Sequence, residues 1–291
     1  MGQVWVADGG WSTQLHRRGF PPAVMAETAN ITHPELVVGL ASEYLDAGAK
    51  FITTNTFGAN RWNLERRRIE HSPADVNRRG AELAREAVGD RPALVAGSIG
   101  PSGKILAIRE AKEDDLRRLF AEQASALADG GADLILLETF SELAEVLLAV
   151  RAVKETTSLP VIASLSFDSG PQRTRTMMGA EAGECAAALE EAGADAVGSN
   201  CGSGVQYALP AVVALRAATK LPLWVKPNAG LPELEEGQAV WRQTPEEFAS
   251  FFPQIIEAGA NIVGGCCGSG PEHVAKLAVL VAGRRQRGGK P

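Results

Sequence analysis

The strongest constraint on the fold is a short pattern that recurs where predicted helices end. At four places an acidic residue is followed by alanine or glycine, then glycine, then alanine, and each copy precedes an apolar run. Because glycine accepts the left-handed conformation that closes an α-helix, each copy marks a helix end just before a strand. The four copies lie at 46–49, 129–132, 191–194 and 257–260.

Eight short apolar runs, rich in β-branched residues, indicate eight strands. The runs lack a clean alternation of apolar and polar residues, which is typical of parallel strands covered on both faces. Helical segments follow each of them. The predicted strands are 4–7, 51–54, 93–97, 134–137, 161–165, 196–198, 223–225 and 262–263, and the predicted helices are 35–47, 75–88, 113–128, 141–154, 180–191, 208–217, 245–257 and 271–281.

This succession of right-handed strand–helix steps predicts an α/β fold, a single (β/α)8 TIM barrel with its active site at the C-terminal ends of the strands. Such a barrel needs about 250 residues, and the chain has 291 without an evident linker. An open, doubly wound sheet is the alternative. We expect the barrel domain over residues 1–283 and a basic, disordered tail over residues 284–291.

Charge and hydropathy exclude several classes of partner. The net charge is −6, whereas nucleic-acid-binding domains are usually basic, so we predict no nucleic-acid partner. The arginine runs at 66–68 and 284–285 are interpreted as solvated surface. No apolar stretch reaches the roughly 20 residues that a bilayer requires, and the first residues lack a signal-peptide pattern. We therefore predict no membrane association and a cytoplasmic location.

Three of the four cysteines lie where a barrel places its active site. Cys201 follows the sixth predicted strand, and Cys266 and Cys267 follow the eighth. Adjacent residues of a regular strand point in opposite directions, but the flanking glycines allow the chain to turn. A reducing compartment disfavours disulfides, so three thiolates at one rim indicate a metal site. The alternative is that they are small buried apolar residues, the interpretation we prefer for Cys185 inside a predicted helix.

Zinc is the metal that this ligand set favours. Thiolates suit Zn²⁺, which is tetrahedral, and three protein ligands leave one position open. A substrate thiol bound there loses its proton and becomes a nucleophile. This chemistry suits attack on an electrophilic methyl group better than hydrolysis, for which histidine and carboxylate ligands are more usual.

Taken together, the motifs at the predicted strand ends resemble those of the homocysteine S-methyltransferases. That family includes betaine– and S-methylmethionine–homocysteine methyltransferases and the homocysteine-binding module of cobalamin-dependent methionine synthase. The resemblance implies that Cys201, Cys266 and Cys267 are the zinc ligands. The motifs that carry it are Asp8-Gly9-Gly10, Thr53-Thr54-Asn55-Thr56-Phe57, Gly97-Ser98-Ile99-Gly100-Pro101, Leu137-Glu138-Thr139, Gly198-Ser199-Asn200-Cys201, Lys226-Pro227-Asn228-Ala229-Gly230-Leu231-Pro232, Gly264-Gly265-Cys266-Cys267-Gly268 and Pro271-Glu272-His273.

The same resemblance implies an amino-acid pocket. Asp8 and Glu138 are expected to pair with the ammonium of homocysteine through charge-assisted hydrogen bonds. The backbone amides of Gly9, Gly10 and Trp11, in the turn that opens the first helix, are expected to hold its carboxylate. The alternative for Asp8 is a helix cap. Asn200 is expected to orient a ligand cysteine or to touch the substrate.

The predicted activity is zinc-dependent methyl transfer to homocysteine, which forms methionine. With only 2 Tyr, and Thr139 where betaine enzymes tend to carry Tyr, the chain lacks the aromatic groups that would bind betaine. S-methylmethionine or a similar small molecule is therefore the expected donor. The alternative is a homocysteine-activating module that works with a separate corrinoid protein, and a zinc hydrolase is a more distant one. The sequence is compatible with a homo-oligomer.

Overall fold

A computed structural model describes residues 3–235 and 238–288. Eight parallel strands form one sheet: β1 (Trp5–Val6), β2 (Phe51–Thr53), β3 (Leu94–Ile99), β4 (Leu134–Phe140), β5 (Val161–Leu165), β6 (Ala196–Cys201), β7 (Leu223–Pro227) and β10 (Ile262–Val263). Their order in the sheet is β1-β10-β7-β6-β5-β4-β3-β2. A bridge between Ala7 and Phe51 joins the two edges, so the sheet closes into the predicted barrel rather than a doubly wound sheet.

Helices cover the outside of the barrel, as predicted. The helix ends marked by the recurring pattern are confirmed, because Gly48, Gly131, Gly193 and Gly259 all adopt positive φ, between +91° and +110°. The helices are α1 (Ser12–Arg17), α2 (Ala29–Thr32), α3 (Pro34–Asp46), α4 (Arg61–Arg66), α5 (Pro73–Val88), α6 (Glu113–Asp129), α7 (Leu143–Thr156), α8 (Ala182–Glu191), α9 (Leu209–Ala218), α10 (Pro245–Ser250), α11 (Phe252–Glu257) and α12 (Pro271–Gly288), with 3-10 turns at Ala26–Thr28 and Val205–Tyr207.

Three features differ from the predicted elements. The helix expected over residues 245–257 is two helices, because Pro253 lies in the first turn of α11 and cannot donate a backbone hydrogen bond. An antiparallel hairpin, β8 (Glu233–Glu235) and β9 (Gln238–Val240), follows β7. Helix α12 continues to Gly288, beyond the predicted helix end at residue 281. The remaining tail residues, 289–291, lie outside the described residues.

The barrel interior is built in two layers. Its lower layer is apolar, and two of its largest members are Phe51 and Trp224, whose rings pack edge to face 5.7 Å apart. Further along the strands, towards their C-terminal ends, the interior positions become polar and stay buried, as the two-residue period of a strand requires. We call this set the polar layer: Thr53, Ser98, Glu138, Ser164, Asn200 and Lys226. It lies at the C-terminal ends of the strands, where the predicted site is expected.

Within the described residues, no helix is both long and apolar enough to cross a membrane.

Candidate metal centre

The structure brings Cys201, Cys266 and Cys267 together. Their Sγ atoms all lie within 4.8 Å of one another, and the Sγ atoms of Cys201 and Cys266 are 3.1 Å apart. Cys201 is the last residue of β6, and the other two directly follow β10. All three are half-buried. Three sulfurs at this spacing can close around a tetrahedral Zn²⁺, whose Zn–S bonds of about 2.3 Å separate neighbouring sulfurs by about 3.8 Å.

Backbone hydrogen bonds to the end of β7 and the residues after it hold the two cysteine segments in register. The amide of Cys266 donates to the carbonyl of Pro227 at 2.9 Å, and the amide of Ala229 donates to the carbonyl of Cys267 at 3.0 Å. The amide of Asn228 donates to the carbonyl of Cys201 at 3.2 Å. Cys201 itself adopts φ of +58°, which is uncommon for a residue with a side chain. Such a conformation persists only where the surroundings impose it, and it is frequent at functional sites. The end of β7 is therefore the shared support of all three sulfurs.

The three thiol groups interact strongly. Hydrogen bonds to Cys266 and Cys267, with burial, raise the pKa of Cys201 well above its usual range. Hydrogen bonds received from Cys201 and Cys266 lower the pKa of Cys267. Negative charges on sulfurs this close repel one another, so the loss of all three protons calls for a cation at the centre of the cluster.

Asp8 lies at the site but is engaged within the protein. One carboxylate oxygen accepts hydrogen bonds from the backbone amide and hydroxyl of Thr53, at 2.7 and 2.8 Å, and from Nε1 of Trp11 at 3.0 Å. The other oxygen pairs with Nζ of Lys226. Asp8 is fully buried. Asp8, the carboxylate predicted to pair with a ligand ammonium, thus also pairs with a lysine of the protein.

Lys226 is a site residue that the motif containing it did not reveal. Its side chain is 3% exposed. Burial by itself would lower the pKa of Lys226, but the carboxylates of Asp8 and Glu138 raise it above the ordinary value, so the lysine is a buried cation. The signal that could have found it is the two-residue period of β7, which puts Lys226 on the same face as Trp224.

Glu138 belongs to the polar layer and lies near the end of β4. Ser98 Oγ donates to its Oε1, and no other described residue hydrogen-bonds the carboxylate. Burial raises the pKa of Glu138 to about 7, opposed by the charge of Lys226. Glu138 thus keeps one carboxylate oxygen without a hydrogen bond from the described residues.

Asn200 joins the polar layer to the cysteines. Its Oδ1 accepts from the Thr139 amide at 2.9 Å and from Ser164 Oγ at 2.7 Å, and its Nδ2 donates to Thr139 Oγ1 at 2.6 Å. The Thr139 hydroxyl in turn lies 3.8 Å from Cys201 Sγ. Both Thr139 and Cys201 have positive φ. Asn200 therefore fits the first of its two expected roles, the orientation of a ligand cysteine through a neighbour.

The glycine turn before α1 is engaged within the protein at one of its three predicted amides. The amide of Gly10 donates to the carbonyl of Ser269 at 3.1 Å, and its carbonyl accepts from the hydroxyl of Tyr44 at 2.7 Å. A Cβ on Gly9 would lie 2.8 Å from that hydroxyl. The Trp11 ring packs against Tyr44, and its Nε1 donates to Asp8. The backbone amides of Gly9 and Trp11 donate to no other described residue, so the predicted carboxylate contact stays a prediction at those two positions.

Replacing Asn200 by alanine is expected to weaken zinc binding about 10- to 100-fold, because it releases Thr139 and thereby Cys201. Competition against a chromophoric chelator measures this affinity. Asn77→Ala is a matched control, since Asn77 is also buried but donates to the carbonyl groups of Ala59 and Pro73, away from the cysteines. Equal zinc affinity in both variants and the parent protein would show that Asn200 does not orient the ligand.

Nearly the whole chain is similar to known proteins. The model of the family described as homocysteine S-methyltransferase matches residues 5–281. Methionine synthase from Mycobacterium leprae is 32% identical over 300 residues, which cover 96% of this chain and 24% of that protein. Betaine–homocysteine S-methyltransferase 1 from Danio rerio is 30% identical and matches 98% of this chain and 74% of its own length.

A solved structure shares the whole fold. The metallated form of the homocysteine methyltransferase MmuM from Escherichia coli superposes with a TM-score of 0.81 at 26% identity, with 96% of each chain covered. The chain spans only about a quarter of the length of the methionine synthases that it matches.

Proposed function

Since the chain belongs to the homocysteine S-methyltransferase family, we propose that it transfers a methyl group to the thiol of homocysteine and forms methionine. The observation that carries this proposal is the set of three cysteine sulfurs within 4.8 Å of one another, half-buried above a polar layer. Three sulfur ligands leave one position of a tetrahedral metal for a substrate thiol. The charged groups beneath them suit the amino-acid end of that substrate.

We propose Zn²⁺ as the metal, held by Cys201, Cys266 and Cys267. Bound there, zinc would supply a lowered pKa for a coordinated thiol and so a thiolate at neutral pH. The protein contributes the orientation of the ligands through Asn200 and Thr139. The half-buried position limits access of water to the sulfurs, which favours methyl transfer over hydrolysis.

The polar layer next to the sulfurs supports an amino acid as the methyl acceptor. Glu138, a member of this layer, is buried and carries an acceptor oxygen without a protein partner among the described residues. It pairs with the ammonium of homocysteine through a charge-assisted hydrogen bond. This contact fixes the substrate at the end opposite to its thiol, and a substrate held at both ends is positioned for attack.

The proposed donor is S-methylmethionine or a similar methylated small molecule. A second candidate is a separate corrinoid protein as donor, and the observation that favours it is the match to about a quarter of two methionine synthases. The two differ in whether this chain by itself completes a reaction with a free donor.

A donor panel separates the two candidates. Freshly reduced, zinc-loaded protein is incubated with homocysteine and with S-methylmethionine, betaine or methylcobalamin, and methionine is quantified. We expect methionine from S-methylmethionine, and none when zinc has been removed by a chelator. Turnover only with methylcobalamin would favour the corrinoid candidate. Failure with all donors, in a protein that still binds zinc, would overturn the proposed activity with free donors.

A further inference from the structure

Trp241 packs on the loop that carries two of the three cysteines. It is the residue after β9, and its side chain lies against Gly268, the residue after Cys267. A Cβ added at Gly268 would lie 2.2 Å from Cγ and 2.4 Å from Cδ1 of the indole. The ring therefore fills the space of a side chain at position 268, one residue beyond a proposed metal ligand, and part of it stays exposed.

Three buried polar atoms on the segments next to the cysteines have no hydrogen-bond partner within the described residues. They are Nε1 of Trp241, Oδ1 of Asn228 and Oε1 of Gln243. Asn228 is tied to the Cys201 loop, since its Nδ2 donates to the carbonyl of Gly202 at 2.7 Å. The Cβ of Gln243 would lie 3.5 Å from a Cβ at Gly230, which follows Asn228 by two residues. Because unpaired buried polar atoms cost free energy, a ligand with polar groups would stabilise this region.

The charges around Trp241 favour a cationic ligand. Three thiolates on Zn²⁺ leave a net negative charge, and a bound substrate thiolate adds to it. A cation over the face of an indole ring is attracted by the ring quadrupole, and tryptophan is the best aromatic residue for this contact. The neighbouring Arg242 pairs with Glu233 and Glu235, so its charge is balanced within the hairpin. A sulfonium ion is both a cation and a carrier of an electrophilic methyl group.

We propose that Trp241 is a specificity-determining residue that binds the sulfonium centre of the methyl donor beside the three cysteines. The amino-acid end of such a donor supplies partners for the indole N–H and for the amide oxygens of Asn228 and Gln243. The proposal deepens the proposed function and rests on it for the identity of the reaction.

The charge of the donor changes during the reaction, and Trp241 responds to that change. The thiolate sulfur of the acceptor forms a bond to the methyl carbon, and the bond from that carbon to the sulfonium sulfur breaks. Its electron pair stays on the donor sulfur, which becomes a neutral thioether, and no proton is transferred. The attraction to the indole face is then lost. Trp241 therefore distinguishes the donor from its demethylated product.

The test measures the binding of two ligands to the zinc-loaded protein by calorimetry, without a thiol acceptor. S-methylmethionine carries the sulfonium, and 2-amino-5-methylhexanoate is its neutral isostere, with a CH group in place of the sulfonium sulfur. In Trp241→Leu, the preference for S-methylmethionine over the isostere should fall about 2- to 30-fold, the range of a cation–π contact. Trp241→Phe keeps an aromatic face and should retain part of the preference. Trp62→Leu is the matched control, since Trp62 is also half-buried but lies in α4, and it should keep the full preference.

The zinc content and melting temperature of each variant are measured in parallel, because Trp241 also supports the cysteine loop. A purely structural role would weaken both ligands equally, and that result overturns the proposal. A parent protein that does not prefer the sulfonium to its isostere overturns it as well. Methionine formation is assayed separately, so selective binding of the sulfonium without turnover would reject the proposed function and leave the role of Trp241 standing.

Discussion

Replacing Cys266 by serine should remove zinc from the protein and lower the rate of methyl transfer at least about 10³-fold, the equivalent of about 4 kcal/mol. Cys266 contacts both other ligands. Its sulfur is 3.1 Å from that of Cys201, and Cys267, the next residue in the chain, supplies the third sulfur. A serine hydroxyl is a poor ligand where thiolates are preferred. Metal analysis of freshly reduced protein should fall from about one zinc per chain to a small fraction.

Cys185→Ala is the matched control for this experiment. Cys185 is fully buried in α8, and burial raises its pKa to about 12, so it is a packed apolar residue rather than a metal ligand. Its variant should retain the zinc content and the activity of the parent protein. A Cys266→Ser protein that keeps both its zinc and its activity would remove the basis of the proposed mechanism.

Replacing Gly198 by alanine should destabilise the protein by about 3 kcal/mol or more, the upper range for an overpacked interior. A Cβ at Gly198 would lie 2.1 Å from the backbone carbonyl oxygen of Trp224 and 2.8 Å from its Cβ. Both residues lie on paired strands, β6 and β7, so neither backbone can withdraw without breaking the ladder. The melting temperature, measured by calorimetry, should fall by roughly 5 °C or more.

Gly39→Ala is the matched control, and it should stabilise the protein. Gly39 lies inside α3, and a Cβ there would meet no atom within 4 Å. Alanine in a helix is favoured over glycine, so this variant should gain about 0.5–1 kcal/mol. Equal melting temperatures for Gly198→Ala and the parent protein would show that the close approach of β6 and β7 is not needed. That approach also places Asn200 and Cys201 beside Lys226 and Pro227.

Much of the fold could be predicted from local signals. The glycine that closes a helix and the apolar run that follows it are both sequence-local, so the strands were located to within a few residues. The split at Pro253 and the β8–β9 hairpin were missed for different reasons. Around Pro253 the helical pattern of apolar residues continues on both sides, so the pattern by itself predicts one helix. The hairpin residues, such as Leu234 at 82% exposure, are too exposed to show the alternation of apolar and polar residues that marks a strand.

The site could be predicted in part. Cys201, Cys266 and Cys267 were placed correctly at one rim because the barrel topology brings the ends of neighbouring strands together. The pairing of Asp8 with Lys226 could not be foreseen, since it joins β1 to β7 and depends on which face of each strand points inward. The positive φ of Thr139 and Cys201 also depends on contacts between strands, through Asn200.

The most direct test of the central claim is X-ray absorption at the zinc edge, recorded with and without homocysteine. The claim is that a substrate thiol enters the open position of a zinc ion held by three cysteines. The spectrum should report three sulfur ligands at about 2.3 Å in the free protein, and a fourth at a similar distance when homocysteine is bound. A sulfur count that does not change on addition of homocysteine, at concentrations that saturate binding, would contradict activation of the thiol by the metal.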